Sequence, residues 1–263
     1  MDTEKPMNVD IVVPVHNQAR TLERNITGLY AHLKSHFPYR WKLLIVDHGS
    51  TDGTFWTARK LEERYSGVRA VQVALEGRGR ALKRGSQGQG DMFCYIDAAH
   101  LLSDLEDVTR LVRLVAEGHC DIAAGRWSPG GAGWDGRFVS GLYHLGLKLA
   151  LNLPVADAQC PFKAVSRRVA VEIVPQVRDE FWFFDTELLV LAQARGCRVK
   201  QAVISRERPE RAAFEEPLTE LMRRILDLRR RLRGAVDASG HGLADLESPQ
   251  PRNQRTKVQD QGD

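Results

Sequence analysis

No run of about 18 apolar residues occurs in the 263-residue chain, so no segment of it is expected to cross a bilayer as a helix. The opening MDTEKPMNVD is acidic and lacks an apolar core, and no secretory leader is expected there. Cysteine is sparse. Cys94, Cys120, Cys160 and Cys197 are scattered without a C-x-x-C pair, which excludes a disulfide scaffold and a zinc knuckle and points to a reducing, cytoplasmic compartment. Neither the GxxxxGK[ST] spacing of a P-loop nor the GxGxxG of a dinucleotide fold is present. No internal repeat is visible, and a net charge of +4 says little about partners until its distribution is considered.

What is present reads as one large domain, with 43% apolar and 27% charged residues. A β-branched run, Asp10–Val15, ends in His16-Asn17-Gln18, and Thr21 is placed to cap a helix carrying Leu22, Ile26, Leu29 and Leu33. Further strands are expected at Lys42–Val46, Ala70–Ala74, Met92–Ile96 and Ile122–Ala124, with helices from about Thr51 and over Leu105–Glu117. Alternating strands and helices imply an α/β fold with a mostly parallel sheet and helices on both faces. Ligands of such sheets bind beyond the carboxyl ends of the strands. Here those ends carry His16-Asn17, Asp47, Asp97 and Gly125-Arg126, so polar residues recur where the architecture opens a site.

The second half differs. Residues 137–153 suit a helix apolar nearly all round, fit for a core, a membrane face or a dimer surface. Leu218–Leu232 is amphipathic, with Leu218, Leu221, Met222, Ile225, Leu228 and Leu232 on one face and Arg223, Arg224, Arg230 and Arg231 opposite. It suits either packing on the domain or lying on an anionic membrane surface. The expected division is a tail at 1–8, a domain at 9–211, the basic helix at 212–233 and a disordered tail at 234–263.

Several segments could carry chemistry. Asp47, before Gly49-Ser50-Thr51-Asp52-Gly53-Thr54, can accept hydrogen bonds from a base or ribose, although such residues also build plain strand–turn–helix junctions. Gly77–Gly85, with Arg78, Arg80, Lys83 and Arg84, suits a phosphate cradle or a solvated basic helix. No aromatic residues interleave there as stacking platforms, and nucleic acid is not an expected partner. Asp97 with His100 makes a thin ligand set for Mg²⁺ or Mn²⁺, which prefer several oxygens. Asp185 and Glu187, beside Phe181–Phe184, could hold a general base or cap the next helix.

In order and spacing these pieces resemble the family-2 inverting glycosyltransferases of the GT-A fold, and among them dolichol-phosphate mannose synthase and other polyprenyl-phosphate glycosyltransferases. The matching residues are Val12-Val13-Pro14-Val15-His16-Asn17-Gln18 against VxPxYNE and Val46–Thr54 against VDDGSTDGT. Gly77-Arg78-Gly79 matches the GKG loop, Asp91 with Ile96-Asp97-Ala98 the GD…DAD strand, and Gly125-Arg126 the GSR turn. Asp157–Lys163 matches DxQCGFK, and Glu187-Leu188-Leu189 with Ala192 and Gly196 matches ELLxxAxxxG. The resemblance implies transfer of a hexose from a nucleotide-diphosphate sugar to a lipid-phosphate acceptor at a membrane surface. It implies Pro14, Val15, His16, Asn17, Asp47, Arg78 and Asp97 around the donor. Asp97, Arg126, Arg137 and Arg208 would then handle the diphosphate, Ser140, Gln159 and Glu187 the acceptor, and Asp97 with His100 any metal.

The sequence departs from the family pattern at the site itself. Tyr and Glu of the first motif are His16 and Gln18, the second Asp of the DD pair is His48, and DAD reads Asp97-Ala98-Ala99. A weakened or dispensable metal site is expected, with arginines carrying the diphosphate charge. The alternative is a catalytically silent homologue that binds a nucleotide or a protein.

Overall fold

The computed structural model describes residues 7–98, 105–128, 157–207 and 218–239. Seven strands form one sheet: β1 (Asn8–Val15), β2 (Arg40–His48), β3 (Val68–Val73), β4 (Met92–Tyr95), β5 (Ile122–Ser128), β6 (Lys163–Ser166) and β7 (Val199–Glu207). Their order is β3-β2-β1-β4-β6-β5-β7. β1 runs parallel to β2 and β4, β2 to β3, and β5 to β7, while β6 is antiparallel to both its neighbours. β1 is buried along almost its whole length, as expected of a strand covered on both faces. β3 lies at one edge and is only partly covered.

The described residues also form helices α1 (Leu22–His36), α2 (Thr54–Arg64), α3 (Arg78–Gly85), α4 (Glu106–Ala116), α5 (Phe184–Ala194) and α6 (Leu218–Ser239), with a π-helical turn at Val169–Ile173 and a 3-10 turn at Val174–Gln176 after β6. Two apolar cores result, one on each side of the sheet. Val9, Ile11, Val13 and Val15 of β1 pack with Leu22, Ile26, Leu29 and Leu33 of α1, whereas Val12 packs with α3, α5 and α6. This alternation along one strand is the period of two expressed as two layers.

The structure corrects several expectations. Thr21 makes no side-chain cap; instead the N–H groups of Thr21 and Leu22 both donate to the Gln18 carbonyl at 3.0 Å. The basic stretch is helical over Arg78–Gly85, in line with the helix alternative, whereas α6 runs on to Ser239, past the boundary expected at 233. The segment expected as a helix at 137–153 lies outside the described residues.

α3 sits close on the sheet because it ends in glycine. A Cβ on Gly85 would lie 2.2 Å from Val12 Cγ1, a clash that either the strand or the helix must relieve. Gly85→Ala is expected to destabilise the fold by about 1–3 kcal/mol. The urea midpoint should fall with little change in its slope, and an unshifted midpoint would contradict this packing.

Candidate functional site

The carboxyl ends of β1, β2 and β4 bring the expected donor residues together. Val15 pairs in register with Asp47, and Pro14 with Val46. Asp97 follows β4 by two positions, and the Ile96 N–H just before it donates to the Val12 carbonyl at 3.0 Å. Pro14 and Val15 are buried strand residues, His16 and Asp97 are half-buried, and Asn17 is exposed.

Most of the Val46–Thr54 motif is structural. Ser50 Oγ accepts the Asn17 N–H at 2.9 Å, Thr54 Oγ1 accepts the Gln18 N–H at 2.7 Å, and Asp52 Oδ2 accepts the Ala19 N–H at 3.1 Å. In return Asn17 Oδ1 accepts the Thr51 N–H at 2.9 Å. Three short polar side chains thus hold the loop after β1, and Asn17 takes a left-handed φ of 49° within it. The Thr54 hydroxyl and two backbone N–H groups on the Asp52 carboxylate hold its pKa below the ordinary value. Gly49 makes the turn possible: its φ is 72°, and a Cβ there would lie 2.7 Å from Glu76 N.

Asp47 stands apart from this lattice. It is wholly buried, and its Oδ2 accepts from Gln72 Nε2 at 3.4 Å, while its Oδ1 has no hydrogen-bond partner among the described residues. A buried carboxylate oxygen without a partner is costly.

His48, next in sequence, stacks on His16 with ring centroids 5.3 Å apart and planes 9° from parallel. His16 Nδ1–H donates to the His48 carbonyl at 2.9 Å, which leaves His16 Nε2 to accept from Asn17 Nδ2 at 3.0 Å. His48 Nδ1 accepts the Gly77 N–H at 3.2 Å, so the imidazole there is neutral. Burial, and after it the neighbouring His16, push the His48 pKa down, against the opposing pull of Asp47 and Glu76. An unfolded histidine titrates at about 6.5. Because the folded value is lower, the unfolded chain takes up the proton first, and stability falls as pH drops from that point toward the folded value. Urea midpoints measured from neutral to mildly acid pH should show this loss, and His48→Gln should flatten it. An equal slope in both proteins would contradict the assignment.

Around Asp185 and Glu187, charges are already paired. Asp185 meets Arg78 in an ion pair and Lys163 Nζ at 2.9 Å, and Lys163 also donates to the Cys160 carbonyl at 2.5 Å. Lys163 and Asp185 are buried, and Arg78 is mostly so. Glu187 is buried as well. It accepts the N–H groups of Arg178 and Asp179 at 3.0 and 2.9 Å and pairs with Arg231 at 2.7 Å. Arg78 therefore points its charge at Asp185, and Glu187 holds a loop together. Gln159 is half-buried beside Asp157, and Arg126 is exposed on β5. Arg137, Ser140, Arg208 and His100 lie outside the described residues.

Several features were missed at the level of sequence. β6 is four residues long and gives no period to detect. β7 reads VKQAVISRE, with no period-two alternation of apolar and polar residues to mark it. The Lys163–Asp185–Arg78 cluster joins residues far apart in the chain, and only the FK and FD pairs within otherwise apolar runs hinted at buried charge.

The donor set does not by itself fit a divalent ion. Ala98 is buried, position 99 is alanine, and among the described residues no group of three His, Cys, Asp or Glu side chains could hold a metal. Asp97 is the carboxylate the strand end offers.

Comparison with known proteins agrees with this architecture. The solved structure of glucosyl-3-phosphoglycerate synthase from Mycobacterium tuberculosis, in complex with Mn²⁺, UDP and glucosyl-3-phosphoglycerate, superposes with a TM-score of 0.65 at 21% identity, covering 87% of this chain and 80% of that one. It shares the GT-A fold. Glycosyltransferase AglD of Haloferax volcanii is 32% identical over 210 residues, covering 76% of this chain and 33% of its own length. The dolichyl-phosphate beta-glucosyltransferase of Saccharomyces cerevisiae is 25% identical over 223 residues, covering 75% of this chain and 66% of its own length. The chain thus spans between 33% and 66% of these two relatives. The Glycosyl transferase family 2 profile matches residues 10–174, from the first buried strand through the π-helical turn after β6, and the chain belongs to that family.

Proposed function

We propose that this chain transfers a hexose from a nucleotide-diphosphate sugar of the UDP-glucose type to a polyprenyl phosphate or similar lipid phosphate. The observation that carries the reading is the buried Asp47 carboxylate with its unpartnered Oδ1. A single anionic acceptor beside a stacked imidazole pair suits the single imide N–H of uracil. Guanine presents two adjacent donors and asks for both carboxylate oxygens, of which Oδ2 already faces Gln72. The names of the relatives, a dolichyl-phosphate beta-glucosyltransferase among them, support a glucosyl group and the same class of acceptor.

In the reaction, an acceptor phosphate oxygen attacks the anomeric carbon as the bond to the diphosphate breaks, and the departing oxygen keeps the electron pair. Such a nucleophile is already ionised at neutral pH and needs no general base. That agrees with Asp185 and Glu187, whose carboxylates are occupied by Lys163, Arg78 and Arg231. The charge arriving on the leaving diphosphate calls for cations close by, a role proposed for Arg126, Arg137 and Arg208. Ser140 and Gln159 are proposed to face the acceptor. No step is routed through a metal; were Mg²⁺ or Mn²⁺ to bind, Asp97 and His100 would be its protein ligands.

Calorimetry with UDP-glucose and GDP-mannose, each with and without Mn²⁺, tests the donor. The reading expects UDP-glucose to bind at least about tenfold more tightly, the worth of one charged hydrogen bond. Equal or reversed preference would overturn the base assignment. Binding of neither donor would favour the silent homologue.

A further inference from the structure

We propose that the outer face of α6 seats the protein on an anionic lipid surface. Sequence alone placed the helix's arginines on one face, away from its apolar residues. The structure divides them. Arg224 turns inward to an ion pair with Asp179 and lies 5.9 Å from the Trp182 ring centroid, and Arg231 reaches the buried Glu187. With Ile225 and Leu228 buried beneath, these contacts hold the inner face of α6 on the domain.

The outer face keeps two large apolar side chains in water. Met222 is 42% exposed and Leu226 is 45% exposed, one helical turn apart. Arg223 and Arg230 flank them, both exposed, and Arg229 is half-buried alongside. Arg223 is engaged by Glu220 at 2.5 Å, whereas Arg229 and Arg230 form no ion pair among the described residues. Phe181, adjacent to the ring that Arg224 covers, is 43% exposed as well. Single exposed apolar residues need no explanation. A Met–Leu pair beside the cations of Arg229 and Arg230, on a helix clamped from behind, is the pattern of an interfacial helix, with apolar side chains entering the acyl boundary and cations at the headgroups.

Charge decides the occupant. A second copy docking face to face would set like arginines against each other, an arrangement that costs affinity. An anionic headgroup layer attracts each of them, by roughly fivefold in partitioning per basic residue at the surface. The inference stands independently of sugar transfer, since it concerns vesicles that carry no polyprenyl phosphate.

The test is sedimentation of the full chain with vesicles of phosphatidylcholine alone or with one third phosphatidylglycerol, in physiological and in high salt. Binding is expected to the anionic vesicles only and to weaken in high salt. Arg229→Gln/Arg230→Gln should lower partitioning by about twenty-fold, and Met222→Ser/Leu226→Ser should lower it too, with circular dichroism unchanged in both. The proposal is overturned if the wild-type chain stays in the supernatant, if it binds neutral vesicles equally, or if folded variants bind as the wild type does. A dimer that dissociates on Met222→Ser/Leu226→Ser would assign the face to a second copy instead. Should the variants misfold, the lipid-charge and salt dependence of the wild-type chain decides alone.

Discussion

Asp47→Ala is expected to weaken UDP-glucose binding by about ten- to a hundredfold, the worth of a hydrogen bond to a charged group. The strand end is built so that its other polar side chains are already engaged. Ser50, Asp52, Thr54 and Asn17 spend their side chains on the loop after β1, and His48 and His16 spend theirs on each other and on backbone groups. Asp47 Oδ1 is the carboxylate oxygen this lattice leaves without a hydrogen-bond partner, and Gln18 Oε1 is a neutral amide oxygen left likewise. Asp47→Asn keeps the shape and loses the charge, so it should weaken binding less than the alanine does. Neither change should lower the melting temperature much, because removing an incompletely paired buried carboxylate relieves a cost. Calorimetry with thermal melts checks both halves. Unchanged affinity, or a collapse of the fold, would contradict the role given to Asp47.

Asp185→Ala is expected to be the most damaging change to stability, at about 3–5 kcal/mol, because it strands two cations. Lys163 is fully buried and Arg78 mostly so, and no other carboxylate pairs with either among the described residues. At about 2–4 °C per kcal/mol for a chain near this length, the melting temperature should fall by roughly 6–20 °C. Replacing the buried pair together, as Asp185→Leu with Lys163→Met, should recover part of the loss, since apolar pairs of similar volume often match a buried ion pair. A double variant no better than Asp185→Ala would show that the hydrogen bond to the Cys160 carbonyl, rather than the pairing, sustains this region.

The sequence made the first half of this fold legible for a physical reason. β1 and β2 are long, β-branched and ended by turn residues, so their period and punctuation agree. The antiparallel β6 did not announce itself, because four residues carry too little pattern. Thr21 looked like a cap by residue type, yet the chain closes that turn through the Gln18 carbonyl. Residue types marked the polar strand ends but could not separate two different surroundings within one motif. Asp47 and Asp52 are five residues apart in the same turn-rich segment; the first keeps an open oxygen, while the second is saturated by its neighbours. Glu187 likewise reads as a reactive carboxylate beside aromatics until the Arg178 and Asp179 N–H groups are seen to fill it. Helical periodicity put Arg224 and Arg231 on the solvent side, and only the position of Asp179 and Glu187 turns them inward.

The central claim, transfer of a hexose to a lipid phosphate, is tested most directly by incubating the chain with radiolabelled UDP-glucose and a polyprenyl phosphate and measuring label in the organic phase. The account predicts an acid-labile glycolipid, formed at a rate that drops at least tenfold with Asp47→Ala. Label that stays with the nucleotide, with the wild-type chain folded and UDP-glucose bound, would contradict it and leave a nucleotide-binding protein without transfer.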